Sequence, residues 1–125
     1  MSKFDDGLKV RRALLGDAHV DRATKNITDF DADFQKYITE NVWGEIWTRP
    51  NLDRKTRHLV TIAMLAALGK EHELAMHIRA CVNTGVTDLE LQEIFLHVAV
   101  YAGVPAANQA FSIAKEIIKA REETA

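Results

Sequence analysis

EHELAMHIRACVNTG, Glu71–Gly85, is the stretch on which the reading of this chain turns. At about 100° per residue, Leu74, Ala75, Ile78, Cys81 and Val82 fall on one broad apolar arc. His72, Arg79 and Asn83 fall on a narrow opposite arc, the wet side. The spacing predicts an amphipathic helix with Gly85 as its terminating glycine. Glu73 and His77 belong to neither arc. They lie four residues apart, so one stands above the other on the helix. Met76 and Ala80 flank them on one side, Leu74 and Cys81 on the other. A carboxylate and an imidazole in an apolar surround are costly unless they pair or work. Two readings follow: a half-buried structural pair, or the acid/base element of an active site.

Outward from this stretch the chain reads as helices throughout. Its two prolines and six glycines fall where helices begin or end. Upstream, Arg54–Leu68 has Asp53 as a candidate N-cap. Its first turn carries Arg54, Lys55, Arg57 and His58, against the dipole preference for acids there. That charge either holds an anion or is a solvated cluster paired with nearby carboxylates. The rest, Leu59–Leu68, is apolar all round except Thr61, a pattern that asks for burial on every side. In a small subunit the natural cover is a neighbouring copy. Downstream, Thr87-x-x-Glu90 is a capping box, and the helix it opens is apolar on all faces over Ile94–Tyr101. His97 interrupts it, with Glu93 four residues before, so a second Glu-x-x-x-His pair occurs. Gly103-Val104-Pro105 stops that helix and starts the last, expected to reach about Arg121.

Nearer the N-terminus, Lys3–Leu15 reads as a weakly amphipathic helix ending at Gly16, and Gly16–Ile27 as a polar loop with short turns. Asp31–Asn41 reads as a helix with Phe34, Tyr37 and Ile38 on one face and Asp29 or Asp31 as cap. In WGEIW, Trp43 and Trp47 share a side if the segment turns helically, as packing or as a pocket wall.

The bulk numbers bound the function. At 125 residues and 47% hydrophobic, one compact domain over residues 1–125 is expected, all-α, with about six to seven helices. A net charge of -2 implies no polyanion partner, and no basic stripe suits a nucleic acid. One cysteine leaves no intrachain disulfide and no Cys-x-x-Cys redox pair. No apolar leader opens the chain and no apolar run is long enough for a bilayer, so a cytoplasmic protein with no membrane partner is expected.

The two Glu-x-x-x-His pairs suggest a metal only weakly. Di-metal carboxylate bundles use Glu-x-x-His, one residue shorter, and no metal site is expected. Cys81, four after His77, is placed for a Cys–His nucleophile, but a buried structural thiol is the plainer reading. Neither a phosphate-binding glycine loop nor a Gly-x-Ser-x-Gly elbow occurs.

The wording of the chain carries more than its spacing. VWGEIWTRPNLDRKTRHLVTIAMLAALGKEHELAMHIRACVNTGV, followed by ELQEIFLHVAVYAGVPAANQAF, spans about residues 42–111. Trp-x-Arg-Pro, Glu-Leu-x-x-His and Tyr-Ala-Gly-Val-Pro-Ala-Ala make the signature specific. The sequence resembles the carboxymuconolactone decarboxylase family, in its 4-carboxymuconolactone (γ-carboxymuconolactone) decarboxylase branch. The resemblance implies a helical bundle of the alkylhydroperoxidase type and a ring-like homo-oligomer, commonly a hexamer. Alkylhydroperoxidase-like members carry a Cys-x-x-Cys ahead of the histidine that matches His77. Those positions are Lys70 and Glu73 here, so a thiol-dependent peroxidase reading loses its dithiol.

The implied substrate is a small unsaturated lactone dicarboxylate, decarboxylated to 3-oxoadipate enol-lactone in the β-ketoadipate pathway of protocatechuate and other aromatic degradation. The lactone carbonyl takes the electrons, so no cofactor is expected. The dianion needs cations, and Arg49, Arg57 and Arg79 are the candidates. His58 and the Trp47 indole are candidate donors to the developing oxyanion. Trp43, Trp47, Met76 and Tyr101 are candidate walls. His77, oriented by Glu73, is the expected proton donor, with Glu93 and His97 as the rival acid/base pair. Two other functions stay open: a relative with thiol-dependent antioxidant activity or a drifted substrate, and a non-enzymatic oligomeric small-ligand binder.

Overall fold

Ser2 opens the first helix by accepting a hydrogen bond from the Asp5 N–H at 3.1 Å. From there the computed structural model describes residues 2–124. Those residues form eight α-helices and one π-helical segment, with no strand. In order they are α1 Lys3–Leu15, α2 Asp17–Lys25, α3 Ala32–Ile38, the π-segment Thr39–Ile46, α4 Arg54–Leu68, α5 Glu71–Arg79, α6 Cys81–Thr84, α7 Asp88–Tyr101 and α8 Val104–Thr124. The fold is all-α, as the periodicity predicts, with more helices than the six to seven expected, because residues 17–25 are helical and the run from Glu71 breaks at Ala80. The elements gather into two compact units, one up to Arg54 and one from Lys55 on.

In the first unit α1 lies against the π-segment. Gly7 and Gly44, expected at helix ends, lie inside these two elements, and the approach is close because both sides carry glycine there. A Cβ on Gly7 would collide with the Thr39 carbonyl oxygen, and one on Gly44 with that of Lys3. The i→i+5 turn, seen in the 3.0 Å bond from Trp47 N–H to Val42 O, brings the two tryptophans over each other. Their rings stack at 5.1 Å and 28° and bury with Val10 and Leu14.

Residues 17–25, expected as a loop, are helical. Gly16, at φ 92°, makes the sharp entry an L-residue resists. Val20 anchors the helix with no exposure, and Arg12 on α1 reaches Asp17 at 3.1 Å and Asp21 at 2.9 Å. One buried valine in a polar segment is too faint a period to read. Asp31 stands just before α3, but its carboxylate accepts from the Thr28 N–H at 2.8 Å and does not cap the helix.

In the second unit α8 packs against both α5 and α7. Ile62 and Ala66 of α4, Leu74 and Ile78 of α5, Cys81, Phe95 and Val98 of α7, and Ala107, Ala110 and Ala114 of α8 form one buried cluster. Phe95 meets Phe111 edge-on at 5.4 Å. The capping box of α7 forms as read, with Thr87 N–H donating to Glu90 at 2.9 Å and Glu90 N–H to Thr87 at 3.1 Å. The helix read over residues 71–84 is split at Ala80, whose ψ of -8° breaks the run. Past the break a continuous wheel no longer applies, and Val82, placed on the apolar arc, is exposed. Gly85 then closes α6 in the left-handed region, at φ 79°.

Candidate active site

On α4 the buried positions are His58, Ile62 and Ala66, four residues apart. On α5 they are Leu74, His77 and Ile78, followed by Cys81 on α6. Each histidine therefore occupies a core position of its own helix. The two core stripes meet, and His58 Nε2 lies 3.1 Å from His77 Nδ1. The rings are tilted by 59° with centroids 5.2 Å apart. His58 Nδ1 lies 2.7 Å from Thr84 Oγ1. The result is a chain, Thr84–His58–His77, drawn from three helices. His58 is 0% exposed and His77 6%.

The electrostatics follow from that burial. Loss of solvent, and then the neighbouring His77, push the His58 imidazolium down to about 4. His58 is therefore neutral near pH 7. Cys81, on the same stripe, donates its thiol to the His77 carbonyl oxygen at 3.5 Å. Burial, with Asp88 adding to it, pushes that thiol up to about 12. A thiolate is strongly disfavoured there.

The other candidate residues are placed as follows. Glu73 is exposed on α5, and the group that meets His77 Nδ1 is His58. Arg57, beside His58, is half-buried. Lys55, in the same cationic turn, pairs with Glu90 at 3.0 Å. Arg79 is exposed, as the wet arc predicts, and lines a wide groove between α5 and α8. Glu93, His97 and Tyr101 are exposed on α7, where His97 lies 4.8 Å from the Tyr101 ring. They line an open depression of about 630 Å³ with Met64, Ala63 and Ala67 of α4. Arg49, Trp43 and Trp47 belong to the first unit, Arg49 exposed and both tryptophans buried. Among the described residues no three His, Cys, Asp or Glu side chains gather as a metal site.

Sequence reasoning did not find the His58–His77 contact or Thr84. A signal existed. His58 stands four before Ile62 on one apolar stripe, and His77 stands three after Leu74 on another. Two histidines at core positions of successive helices have each other as the cheapest polar partner.

A buried pair of imidazoles tied to a hydroxyl can hold and deliver a proton in a place poor in water. Comparison with known proteins fits that chemistry. The chain is 53% identical over 117 residues to the 4-carboxymuconolactone decarboxylase of Acinetobacter baylyi, covering 94% of this chain and 87% of that protein. It is 43% identical over 115 residues to the nitrosuccinic acid decarboxylase of Metarhizium robertsii, covering 92% and 80%. A 4-carboxymuconolactone decarboxylase of Pseudomonas putida is 49% identical over 43 residues, 34% of this chain and 90% of that one. The profile of the carboxymuconolactone decarboxylase family matches residues 32–116, so that His58, His77 and Thr84 all lie inside the match, and the chain belongs to that family.

Proposed function

We propose that this chain is a carboxy-lyase that converts 4-carboxymuconolactone to 3-oxoadipate enol-lactone, with no cofactor. The observation that carries the reading is the 53% identity, over 94% of the chain, to a protein of that name. The family match runs across both compact units, which supports reading them as one domain.

The reaction asks for few groups. The bond between the ring carbon and its carboxylate breaks, and CO₂ leaves. The electron pair moves through the ring double bond onto the lactone carbonyl, giving a dienolate. A proton then adds to the carbon alpha to that carbonyl. His77 is the acid that supplies it, since its ring sits at the edge of a dry polar chain. Arg57 holds the carboxylate that stays on the product; a cation on the leaving carboxylate would oppose its loss.

Nitrosuccinic acid, named in the 43% relative, supports the substrate class. There too a carboxylate sits on a carbon joined to an electron-withdrawing group, with a carboxymethyl arm beside it. A succinate fragment with its own electron sink is common to both compounds. The lactone is the first choice because that relative is more similar.

The exposed apolar stripes of α4 and α7 support a homo-oligomer; its form as a ring-like hexamer of cytoplasmic subunits is what the family resemblance implies. The test is steady-state turnover of the lactone, with product and CO₂ followed by NMR in D₂O. Turnover with one deuterium placed at the alpha carbon is expected. Turnover of nitrosuccinate at a higher kcat/KM than the lactone would reassign the substrate.

A further inference from the structure

Proton delivery by His77 requires that one ring nitrogen hold the outgoing proton and the other be held still. His77 Nδ1 lies 3.1 Å from His58 Nε2, a contact that holds that nitrogen in place. His58 has both its nitrogens engaged, one by His77 and one by Thr84 at 2.7 Å. It is fully buried, so taking a net charge there is costly.

Only one proton can occupy each contact, so the contacts set one another. When His77 is an imidazolium, its Nδ1–H points at His58 Nε2, which must accept. The His58 proton then sits on Nδ1 and donates to Thr84 Oγ1. The Thr84 hydroxyl turns to the Cys81 carbonyl oxygen, 3.4 Å away. After His77 gives its Nε2 proton to carbon, it is left neutral with Nδ1–H in place. Nothing in the chain has to rearrange during the transfer. The opposite arrangement sets His58 Nε2–H against His77 Nδ1 and opposes the imidazolium that the reaction uses.

We propose that His58 and Thr84 are the positioning residues of this site: His58 accepts at Nε2 from His77 Nδ1–H and so makes His77 Nε2 the working nitrogen, and Thr84 holds His58 in the Nδ1–H form. This rests on the reading of His77 as the acid. It moves His58 from the expected oxyanion donor to a support, since neither of its nitrogens is left for substrate. It also gives the orienting task, expected of Glu73, to a residue on another helix. Burial agrees with the assignment, because it keeps His58 neutral through the cycle.

The test pairs kinetics with a readout independent of substrate. ¹⁵N-histidine NMR of the wild-type protein, above the His77 titration, reads its tautomer directly. The Nδ1–H form should dominate. In Thr84→Val and in His58→Leu the population should move to the Nε2–H form that free imidazole favours, and Thr84→Ser should restore it. Lactone kcat should fall roughly 10- to 100-fold in both with KM nearly unchanged, and His58→Gln, which keeps an acceptor, should recover part of it. A wild-type Nε2–H form at His77 overturns the proposal. So does a Thr84→Val protein, folded by circular dichroism, with wild-type tautomer and kcat. If His58→Leu does not fold, the half-buried Thr84 pair of variants decides. Absence of any lactone turnover in the wild type would count against the proposed substrate, and the tautomer would still decide the positioning.

Discussion

His58 and His77, 19 residues apart in sequence, share a buried hydrogen bond of 3.1 Å between Nε2 and Nδ1. The bond joins α4 to α5 and ties a polar pair into an apolar core. Its consequences for stability and for reactivity separate cleanly.

The stability consequence is a pH dependence. His58 titrates near 4 in the folded chain and near 6.5 when unfolded. Between those values the unfolded chain binds the proton and the folded chain does not. The stability linked to His58 is therefore complete above about pH 6.5, falls as pH drops toward 4, and changes no further below. The loss amounts to up to about 3 kcal/mol. Urea titrations at pH 7.5 and pH 4.5, on the wild type and on His58→Gln, measure it. The wild type should lose more stability than the variant over that interval; equal losses would remove His58 as the cause.

The reactivity consequence falls on His77. General acid participation is typically worth about 10²–10⁴-fold. His77→Ala should lower lactone kcat by that order while the protein stays folded. Glu73→Gln, altering an exposed side chain, should do far less. Wild-type turnover by His77→Ala, with unchanged deuterium placement, would transfer the role to Glu93 and His97.

Cys81 is 2% exposed, and its thiol is pushed up to about 12 by burial. Cys81→Ser should leave decarboxylation nearly intact. It should cost some stability, because a hydroxyl is costlier than a thiol to bury in an apolar core, even with the His77 carbonyl oxygen within reach as its acceptor. The native thiol should resist iodoacetamide at pH 8. Lost turnover in a folded Cys81→Ser protein would restore a thiol mechanism.

Val60, Met64 and Leu68 form an exposed apolar stripe on α4, at 44%, 60% and 69%. Leu89, Leu96 and Val100 do the same on α7. Surfaces of this kind mark association. Light scattering should give a multiple of the 14.0 kDa subunit mass, and Met64→Glu should lower it. A well-folded monomer at micromolar concentration contradicts the proposed hexamer.

Gly7 and Gly44 let α1 and the π-segment touch backbone to backbone. Gly7→Ala would force the Thr39 carbonyl away. Overpacking of this kind costs about 1–3 kcal/mol. Thermal unfolding should show a clear drop, larger than that of Ala13→Gly at an exposed position of the same helix.

By itself the sequence determined what is local or repeats at helical spacing. The helices Lys3–Leu15 and Arg54–Leu68, the capping box at Thr87 and the glycine stop at Gly85 follow from nearest-neighbour chemistry, and they form as read. The family was legible for a related reason: its signature lies in contiguous text. The tertiary structure decided what depends on meeting across helices. The period of α5 places His77 and Glu73 between two arcs, and only packing turned His77 inward and left Glu73 outside. His58, read as part of a cationic turn, became the partner of His77 because its stripe of α4 is the one that enters the core. Thr84 joined them after a one-residue break at Ala80 that no wheel foresees. A hydrogen bond spanning 19 residues leaves no periodic trace, since it depends on which helical faces the core draws together.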